Sequence, residues 1–237
     1  MKLLVSVVDA AEALAALEGG ADIIDVKNPL EGALGANFPW RIREIAGLMP
    51  GGRELSATLG DAACLPGAYS LAAAGAAWCG ARYVKVGLYG MENGEAAIYF
   101  LRQVNRAIRL VTGEQGQVIA VGYADAGRVG AMPPAELPRV AAEAGVHGCM
   151  LDTAVKDGAS LLRVMTMHEL ARFVRETRAR RLVCGLAGSL GSEDLPAVRE
   201  LGPDVVGVRS AACRGDRVRG RVDSELVSEL RRALFVA

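Results

Sequence analysis

Lysine is scarce in this chain, and three of its four lysines stand where a side-chain amine could do chemistry. The 237 residues contain 27 lysines and arginines together, but lysine occurs only as Lys2, Lys27, Lys85 and Lys156. Lys27 ends the run DIIDVK, Lys85 lies within YVKVGL, and Lys156 follows MLDTAV. Arginine can replace lysine on a solvated surface, but it stays protonated and cannot form an imine. The retained lysines therefore indicate Schiff-base or proton-transfer chemistry, and the alternative is chance in a lysine-poor composition.

A carboxylate accompanies Lys27 at a spacing that matters. Asp25 precedes Lys27 by two residues, so on a strand both side chains leave the same face. A carboxylate beside an amine can hold it, exchange protons with it and assist loss of water from a carbinolamine. The alternative is an ion pair that only positions the loop Asn28–Leu30. We favour the chemical role, because an ion pair that faces an interior is costly without one.

Eight short apolar runs alternate with eight helical patterns along the whole chain. The predicted strands are Leu3–Val8, Ile23–Lys27, Leu55–Leu59, Tyr83–Leu88, Val118–Tyr123, Gly148–Asp152, Leu182–Leu186 and Val205–Arg209. The predicted helices are Ala10–Glu18, Trp40–Leu48, Tyr69–Cys79, Glu95–Val111, Ala135–Ala144, Met167–Arg178, Asp194–Leu201 and Ser224–Leu234. Eight strands, each followed by a helix, predict an α/β fold of one closed (β/α)₈ TIM barrel that spans residues 1–237. No glycine-rich fingerprint follows Val8, which argues against an open doubly wound sheet.

The barrel tells us where these side chains should meet, because such folds build their active sites at the carboxyl ends of the strands. Lys85 should point into the barrel near Lys27, and two close ammonium groups lower one another's pKa and favour a neutral amine. The alternative is a static network in which Lys85 pairs with Asp25 or Asp152. Asp152 ends the sixth predicted strand, and Lys156 follows on a loop that could close over a substrate.

The seventh and eighth predicted strands run into loops rich in glycine and serine. Phosphate sites in these barrels commonly form there. Gly188, Ser189, Arg209 and Ser210 are therefore the predicted phosphate-binding residues, and a phosphorylated small molecule is the expected substrate. Tight strand–helix packing could also explain some of these glycines. Asp61 and Asp125 should lie on the same face of the barrel as supporting carboxylates.

Composition excludes several classes of function. Lys+Arg and Asp+Glu both total 27, so the electrostatic case for nucleic acid or a membrane surface is absent. Five scattered cysteines and two histidines form no metal or disulfide pattern, so we expect no metal and a reducing, cytoplasmic location. We also expect no cofactor. The sequence contains no apolar run of about 20 residues, the length that a helix needs to span a bilayer. Barrels commonly associate through their helices, so a homo-oligomer is expected, although no helix stands out as its interface.

The segments DIIDVKNPLEGALGANFPW, YVKVGL, MLDTAVKDG, GLAGSL and GVRSAAC resemble, in order, the (5-formylfuran-3-yl)methyl phosphate synthase family, also called 4-(hydroxymethyl)-2-furancarboxaldehyde-phosphate synthase. The resemblance implies a lyase similar to class I aldolases in a TIM barrel. It implies condensation of two glyceraldehyde 3-phosphate molecules into a furan phosphate, with loss of phosphate and water, for the biosynthesis of methanofuran-type one-carbon carriers.

By position, the resemblance implies that Lys27 forms the imine, with Asp25 beside it. The family's other lysines match Lys85 and Lys156, and its strand-six carboxylate matches Asp152. The phosphate loops transfer less securely, and Arg209 rests on its placement alone. Two alternatives stay open: another Schiff-base aldolase or isomerase of a sugar phosphate, and a non-catalytic subunit that binds a phosphorylated metabolite.

Overall fold

Eight parallel strands close into a barrel in the computed structural model, which describes residues 1–61 and 64–235. Each strand pairs with the next along the chain, and the eighth pairs with the first. The strands are β1 Lys2–Val7, β2 Ile23–Val26, β3 Glu54–Thr58, β4 Tyr83–Gly87, β5 Gln117–Tyr123, β6 Gly148–Asp152, β7 Val183–Leu186 and β8 Val205–Val208. The predicted barrel is confirmed, and each predicted strand lies within one residue of an observed one.

Helices surround the barrel and cover the outer faces of its strands. They are α1 Ala10–Glu18, α2 Pro39–Ala46, α3 Pro66–Trp78, α4 Gly94–Thr112, α5 Leu137–Ala144, α6 Leu161–Val164, α7 Met167–Ala179, α8 Leu195–Leu201 and α9 Ser224–Phe235. Side chains cap several of these helices: Asp9 accepts from an amide of α1, and Thr166 and Glu169 form a reciprocal capping box on α7. Within residues 1–61 and 64–235, no helix is long and apolar enough to cross a bilayer.

The apolar interior is divided between two layers. The larger cluster lies between the strands and the helices, and it explains why most strands read as nearly continuous apolar runs. A much smaller cluster faces the barrel axis, and its fully buried members are Leu34, Ile119, Val121, Tyr123, Met150 and Ala187. Most of the folding free energy from apolar burial therefore comes from outside the barrel wall, which leaves the axis available to polar side chains.

A short hairpin after β8 was not predicted. Its strands are β9 Cys213–Arg214 and β10 Arg221–Val222, and they pair antiparallel beside the mouth of the barrel. Exposed ion pairs hold its base, where Arg214 binds Asp223 and Arg221 binds Asp9. The loop between the two strands, residues 215–220, lies at the same end of the barrel as the carboxyl ends of the strands, because Arg217 in this loop contacts Gly32 in the loop after β2.

Candidate active site

Asp25 lies at the centre of a buried polar cluster inside the barrel. Strand register sets Ser6 of β1 and Ser56 of β3 beside it. Its carboxylate accepts hydrogen bonds from Ser6 Oγ at 2.9 Å, Ser56 Oγ at 2.7 Å and Lys85 Nζ at 2.7 Å. Burial raises the pKa of this carboxyl, but the charges of Lys85 and Lys27 and the hydrogen bonds from Lys85 and Ser56 outweigh it. The pKa of Asp25 therefore lies below its usual range, and the side chain is ionised.

Lys27 follows directly after β2 and is only 5 % exposed. Its backbone is fixed on both sides, because its amide donates to Val7 O at 3.0 Å and its carbonyl accepts from Asn37 Nδ2 at 3.3 Å. Its amine is different: in the described part of the chain, Lys27 Nζ donates no hydrogen bond. Burial lowers the pKa of Lys27 to about 7; the charge of Asp152 opposes this shift, and nearby Lys85 and Lys156 reinforce it. A large fraction of Lys27 is therefore a neutral amine near neutral pH.

Lys156 and Asp152 form a second ion pair, close enough to Lys27 for both charges to shift its pKa. Lys156 Nζ donates to Asp152 Oδ1 at 2.6 Å and to Thr153 Oγ1 at 3.1 Å. Burial raises the pKa of Asp152, but the charges of Lys156 and Lys27 and the hydrogen bond from Lys156 hold it below the usual range. The structure thus brings together all five residues predicted to be catalytic: two ion pairs lie near Lys27, whose amine has no hydrogen-bond partner in the described part of the chain.

Two further carboxylates position the loops around this cluster. Asp125 accepts from two successive backbone amides of the Lys156 loop, at 2.7 and 2.9 Å, and so fixes that loop after β6. Asp61 accepts from Leu34 N at 2.6 Å and from the hydroxyl of Tyr123. Gly87 makes this last contact possible, because a Cβ there would collide with the Tyr123 hydroxyl. Asp61 and Asp125 therefore lie where they were predicted, as supports for the loops.

The predicted phosphate-binding residues differ in whether their hydrogen-bond donors are already engaged within the described protein. Ser189 and Ser210 line the cleft beside Lys27, and Ser189 has a positive φ of 50° after Gly188 at 115°. Residues other than glycine that adopt this left-handed conformation are often found at functional sites. Among the described residues, the backbone amides of Ser189 and the buried Leu190 donate no hydrogen bond. Ser189 therefore brings to the wall of the cleft a hydroxyl and a backbone amide that has no acceptor within the described residues.

Arg209 directly follows β8, one residue beyond the observed end of the strand, and its guanidinium is already engaged. Nη1 donates to Ser6 O at 3.0 Å and to Glu12, Nη2 to Glu12 at 3.3 Å, and Nε to Arg217 O at 3.1 Å. Arg209 and Glu12 are both buried, so their ion pair ties β8 to α1 beneath the cleft. Phosphate binding by Arg209 stays a prediction, and a phosphate would have to compete with Glu12 and the two carbonyl groups for the guanidinium.

Sequence reasoning missed Ser6, Ser56, Glu12 and Arg217. The two serines carried a usable signal, because each is a polar residue inside an apolar strand and has the parity that faces the barrel axis. Glu12 and Arg217 carried none, since their contacts join distant parts of the chain. Across the described residues, no three His, Cys, Asp or Glu side chains converge as a metal site requires.

Two cavities meet near Lys85. The cleft at the carboxyl ends of the strands has a free volume of only about 30 Å³, because its own charged side chains extend across it. A larger cavity of about 270 Å³ opens at the opposite end of the barrel, beside Lys2 and Tyr83, and is lined mostly by apolar residues. Leu4, Met150 and Lys85 line both. Four of the five predicted catalytic residues, Lys27, Lys85, Asp152 and Lys156, line the smaller cavity, so we assign the candidate active site to it.

Solved structures support the class that this fold and site define. The chain superposes on 3-hexulose-6-phosphate synthase from Salmonella typhimurium with a TM-score of 0.66 and 19% identity, covering 99% of this chain and 100% of that one. Phosphoribosyl anthranilate isomerase from Thermus thermophilus gives a TM-score of 0.66 at 18% identity, covering 99% and 98%. At such identities the likeness concerns the fold alone: a (β/α)₈ barrel, here with a lysine-lined cleft at the carboxyl ends of its strands.

Sequence relatives identify the family within that class. Residues 3–231 match the model of the family described as 4-HFC-P synthase. The protein named (5-formylfuran-3-yl)methyl phosphate synthase is 52% identical in Methanocaldococcus jannaschii over 232 residues, covering 98% of both chains. Its counterpart in Methanopyrus kandleri is 53% identical over 234 residues, again covering 98% of both. The chain belongs to the 4-HFC-P synthase family, whose relatives are named as enzymes.

Proposed function

We propose that this protein condenses two molecules of glyceraldehyde 3-phosphate into (5-formylfuran-3-yl)methyl phosphate through an imine on Lys27. The atoms balance when one phosphate and two water molecules leave, so the enzyme would be a carbon–oxygen lyase acting on phosphates. The product would supply methanofuran-type one-carbon carriers. The observation that carries the proposal is the state of Lys27: a buried amine with a pKa of about 7 and no hydrogen-bond partner in the described residues, beside two ion pairs.

The first step uses the neutral amine of Lys27 as the nucleophile. It attacks the carbonyl carbon of one triose phosphate, and loss of water from the carbinolamine gives an iminium ion. The iminium withdraws electrons from the neighbouring carbon, so removal of a proton there yields an enamine that can attack the second carbonyl. Lys85 and Lys156 cannot take this part as readily, because each ammonium group is held by a carboxylate at 2.7 or 2.6 Å.

The two ion pairs supply the proton transfers. Lys85 can give a proton to a developing alkoxide while Asp25 stabilises the charge that remains, and Ser6 and Ser56 hold Asp25 in place. Asp152 and Lys156 line the same cleft as Lys27 and can act in dehydration and in the departure of phosphate. The unused amides of the turn at Ser189, together with its hydroxyl, suit an anionic phosphate group.

The direct test is incubation of the purified protein with glyceraldehyde 3-phosphate alone. We expect release of inorganic phosphate together with the ultraviolet absorbance of a conjugated furan aldehyde. Borohydride added during turnover should reduce the imine and leave a mass adduct on the peptide that contains Lys27. An adduct with a different sugar phosphate, but none with glyceraldehyde 3-phosphate, would favour another Schiff-base aldolase. Binding without an adduct or turnover would favour a non-catalytic role.

The pH dependence of imine formation should follow Lys27. Burial depresses its pKa from 10.5 to about 7, and only the neutral amine attacks a carbonyl. The rate of borohydride trapping should therefore rise about tenfold per pH unit below pH 7 and level off above it. Trapping isolates imine formation from the later steps. A midpoint near 10, as for a solvated lysine, would contradict the assigned environment of Lys27.

A further inference from the structure

We propose that Arg217, on the loop between β9 and β10, binds a phosphate group of the substrate. The proposal rests on the proposed function in taking the substrate to be a triose phosphate. Arg217 lines the cleft together with Lys27, Lys156, Ser189 and Ser210. It belongs to an element that follows β8, yet its side chain crosses the mouth of the barrel toward the loop after β2. Nothing in the sequence pattern had distinguished it from the other arginines of this hairpin.

The pairing of charges around the cleft sets Arg217 apart. Lys85 is paired with Asp25, Lys156 with Asp152, and Arg209 with Glu12. Within the described residues, Arg217 has no carboxylate within 4.0 Å. Arginine stays protonated at any working pH, so Arg217 is a permanent cation of the cleft that has no counterion among the residues described.

The environment of Arg217 suits an anionic ligand. Its side chain is half-buried, and burial lowers the pKa of the guanidinium, while the charge of Asp152 opposes the shift. A desolvated charge without a partner is costly. Its one side-chain hydrogen bond in the described residues goes from Nη2 to the carbonyl of Gly32 at 3.2 Å, a neutral acceptor that a phosphate could replace.

The hairpin loop is built to hold this side chain in position. The carbonyl of Arg217 accepts from Arg209 Nε at 3.1 Å, so the buried Arg209–Glu12 pair also anchors the backbone of Arg217. Asp216 accepts from the amides of Val218 and Arg219 at 2.7 and 2.8 Å and closes the turn. A substitution that removes only the Arg217 side chain leaves all these contacts intact.

The size of the cleft gives the contact a second role. A site for a small molecule typically has a volume of roughly 300 Å³ or more, whereas about 30 Å³ is free here. Arg217 spans the mouth through its bond to Gly32, so substrate entry requires that bond to open. Once a phosphate lies in the cleft, the guanidinium can exchange the carbonyl for two charge-assisted hydrogen bonds, with Ser189 and Ser210 as neighbouring donors.

Calorimetric titration with inorganic phosphate at constant ionic strength tests the proposal without requiring turnover. We expect Arg217→Gln to weaken phosphate binding at least tenfold and Arg217→Lys to restore part of it. Arg219→Gln is the matched control, because Arg219 is exposed on the same loop; it should bind phosphate as the unaltered protein does. In steady-state assays with glyceraldehyde 3-phosphate, Arg217→Gln should raise KM at least tenfold. Circular dichroism establishes that each variant is folded, and Arg217→Ala provides a second removal of the guanidinium.

The outcomes separate this proposal from the proposed reaction. If phosphate binding depends on Arg217 but no furan aldehyde forms from glyceraldehyde 3-phosphate, the reaction is wrong and the phosphate site stands. If the furan aldehyde forms and Arg217→Gln changes neither KM nor phosphate affinity, the phosphate site is wrong. Equal weakening by Arg217→Gln and Arg219→Gln would also overturn it, because the effect would then come from net charge.

Discussion

Lys27→Arg should lower turnover of glyceraldehyde 3-phosphate by roughly 10⁴-fold or more, the scale of loss when a covalent nucleophile is removed. Arginine keeps the positive charge and much of the length of lysine, but it cannot form an imine. It also replaces an amine that is partly neutral near pH 7 with a permanent cation beside Lys85 and Lys156. Phosphate release measured over hours, together with borohydride trapping, would record both the lost turnover and the lost adduct.

Lys2→Arg is the matched control for that substitution. Lys2 is exposed at the amino-terminal end of the barrel, where it pairs with Glu54, and arginine can keep that pair. Its turnover should stay within about twofold of the unaltered protein, because changes at exposed ion pairs have small effects. Activity of Lys27→Arg within tenfold of the unaltered protein would show that the amine of Lys27 is not the nucleophile.

Asp25→Asn should destabilise the fold and remove activity together. The amide keeps the shape of the carboxylate but leaves the ammonium group of Lys85 buried without a counterion. Breaking a buried ion pair by removing one partner typically costs about 3–5 kcal/mol. Urea denaturation should therefore show a free energy of unfolding lower by about that amount, and turnover should fall because Lys85 and Lys27 lose the charge that lies between them.

A double variant separates the two effects. Asp25→Asn combined with Lys85→Met removes both charges, so most of the stability should return while activity stays lost. Glu176→Gln, which breaks the half-exposed pair with Arg180, should cost less than about 1 kcal/mol. Full stability of the single variant Asp25→Asn would mean that water, rather than Asp25, balances the charge of Lys85.

The barrel was predictable because its strands are covered on both faces. A strand packed between a helix layer and the barrel axis must be apolar over most of its length, and such runs are visible in one sequence. Parity on β2 and β4 then predicted that Asp25 and Lys85 face inward, and the structure joins them at 2.7 Å. Side-chain direction along a strand is a local property, so the sequence carries it.

The hairpin after β8 and the contacts of its arginines were not predictable in the same way. Its two strands have only two residues each, and between them lies a polar loop without periodicity. The partner of Arg209 is Glu12, which is 197 residues away along the chain. An arginine beside a glycine-rich loop suggests a phosphate ligand equally well whether or not a distant carboxylate occupies its nitrogens. Only the closed barrel, which joins β8 to β1, brings that carboxylate near.

Met150 lines both cavities of the barrel, and its shape bears on the size of the ligand that the site admits. Two glycines pack against its side chain. A Cβ at Gly185 would lie 2.8 Å from Met150 Cγ, and a Cβ at Gly207 would lie 2.8 Å from Met150 Cε. A single unbranched, flexible side chain therefore lies where the cleft and the larger cavity meet. Met150 is 3 % exposed and packs in the small axial cluster, so shortening its side chain would deepen the site and would cost about 2–5 kcal/mol of folding free energy, as at other buried positions. The depth of the site and the packing of the axial cluster therefore depend on the same side chain, so a deeper site comes with a less stable barrel.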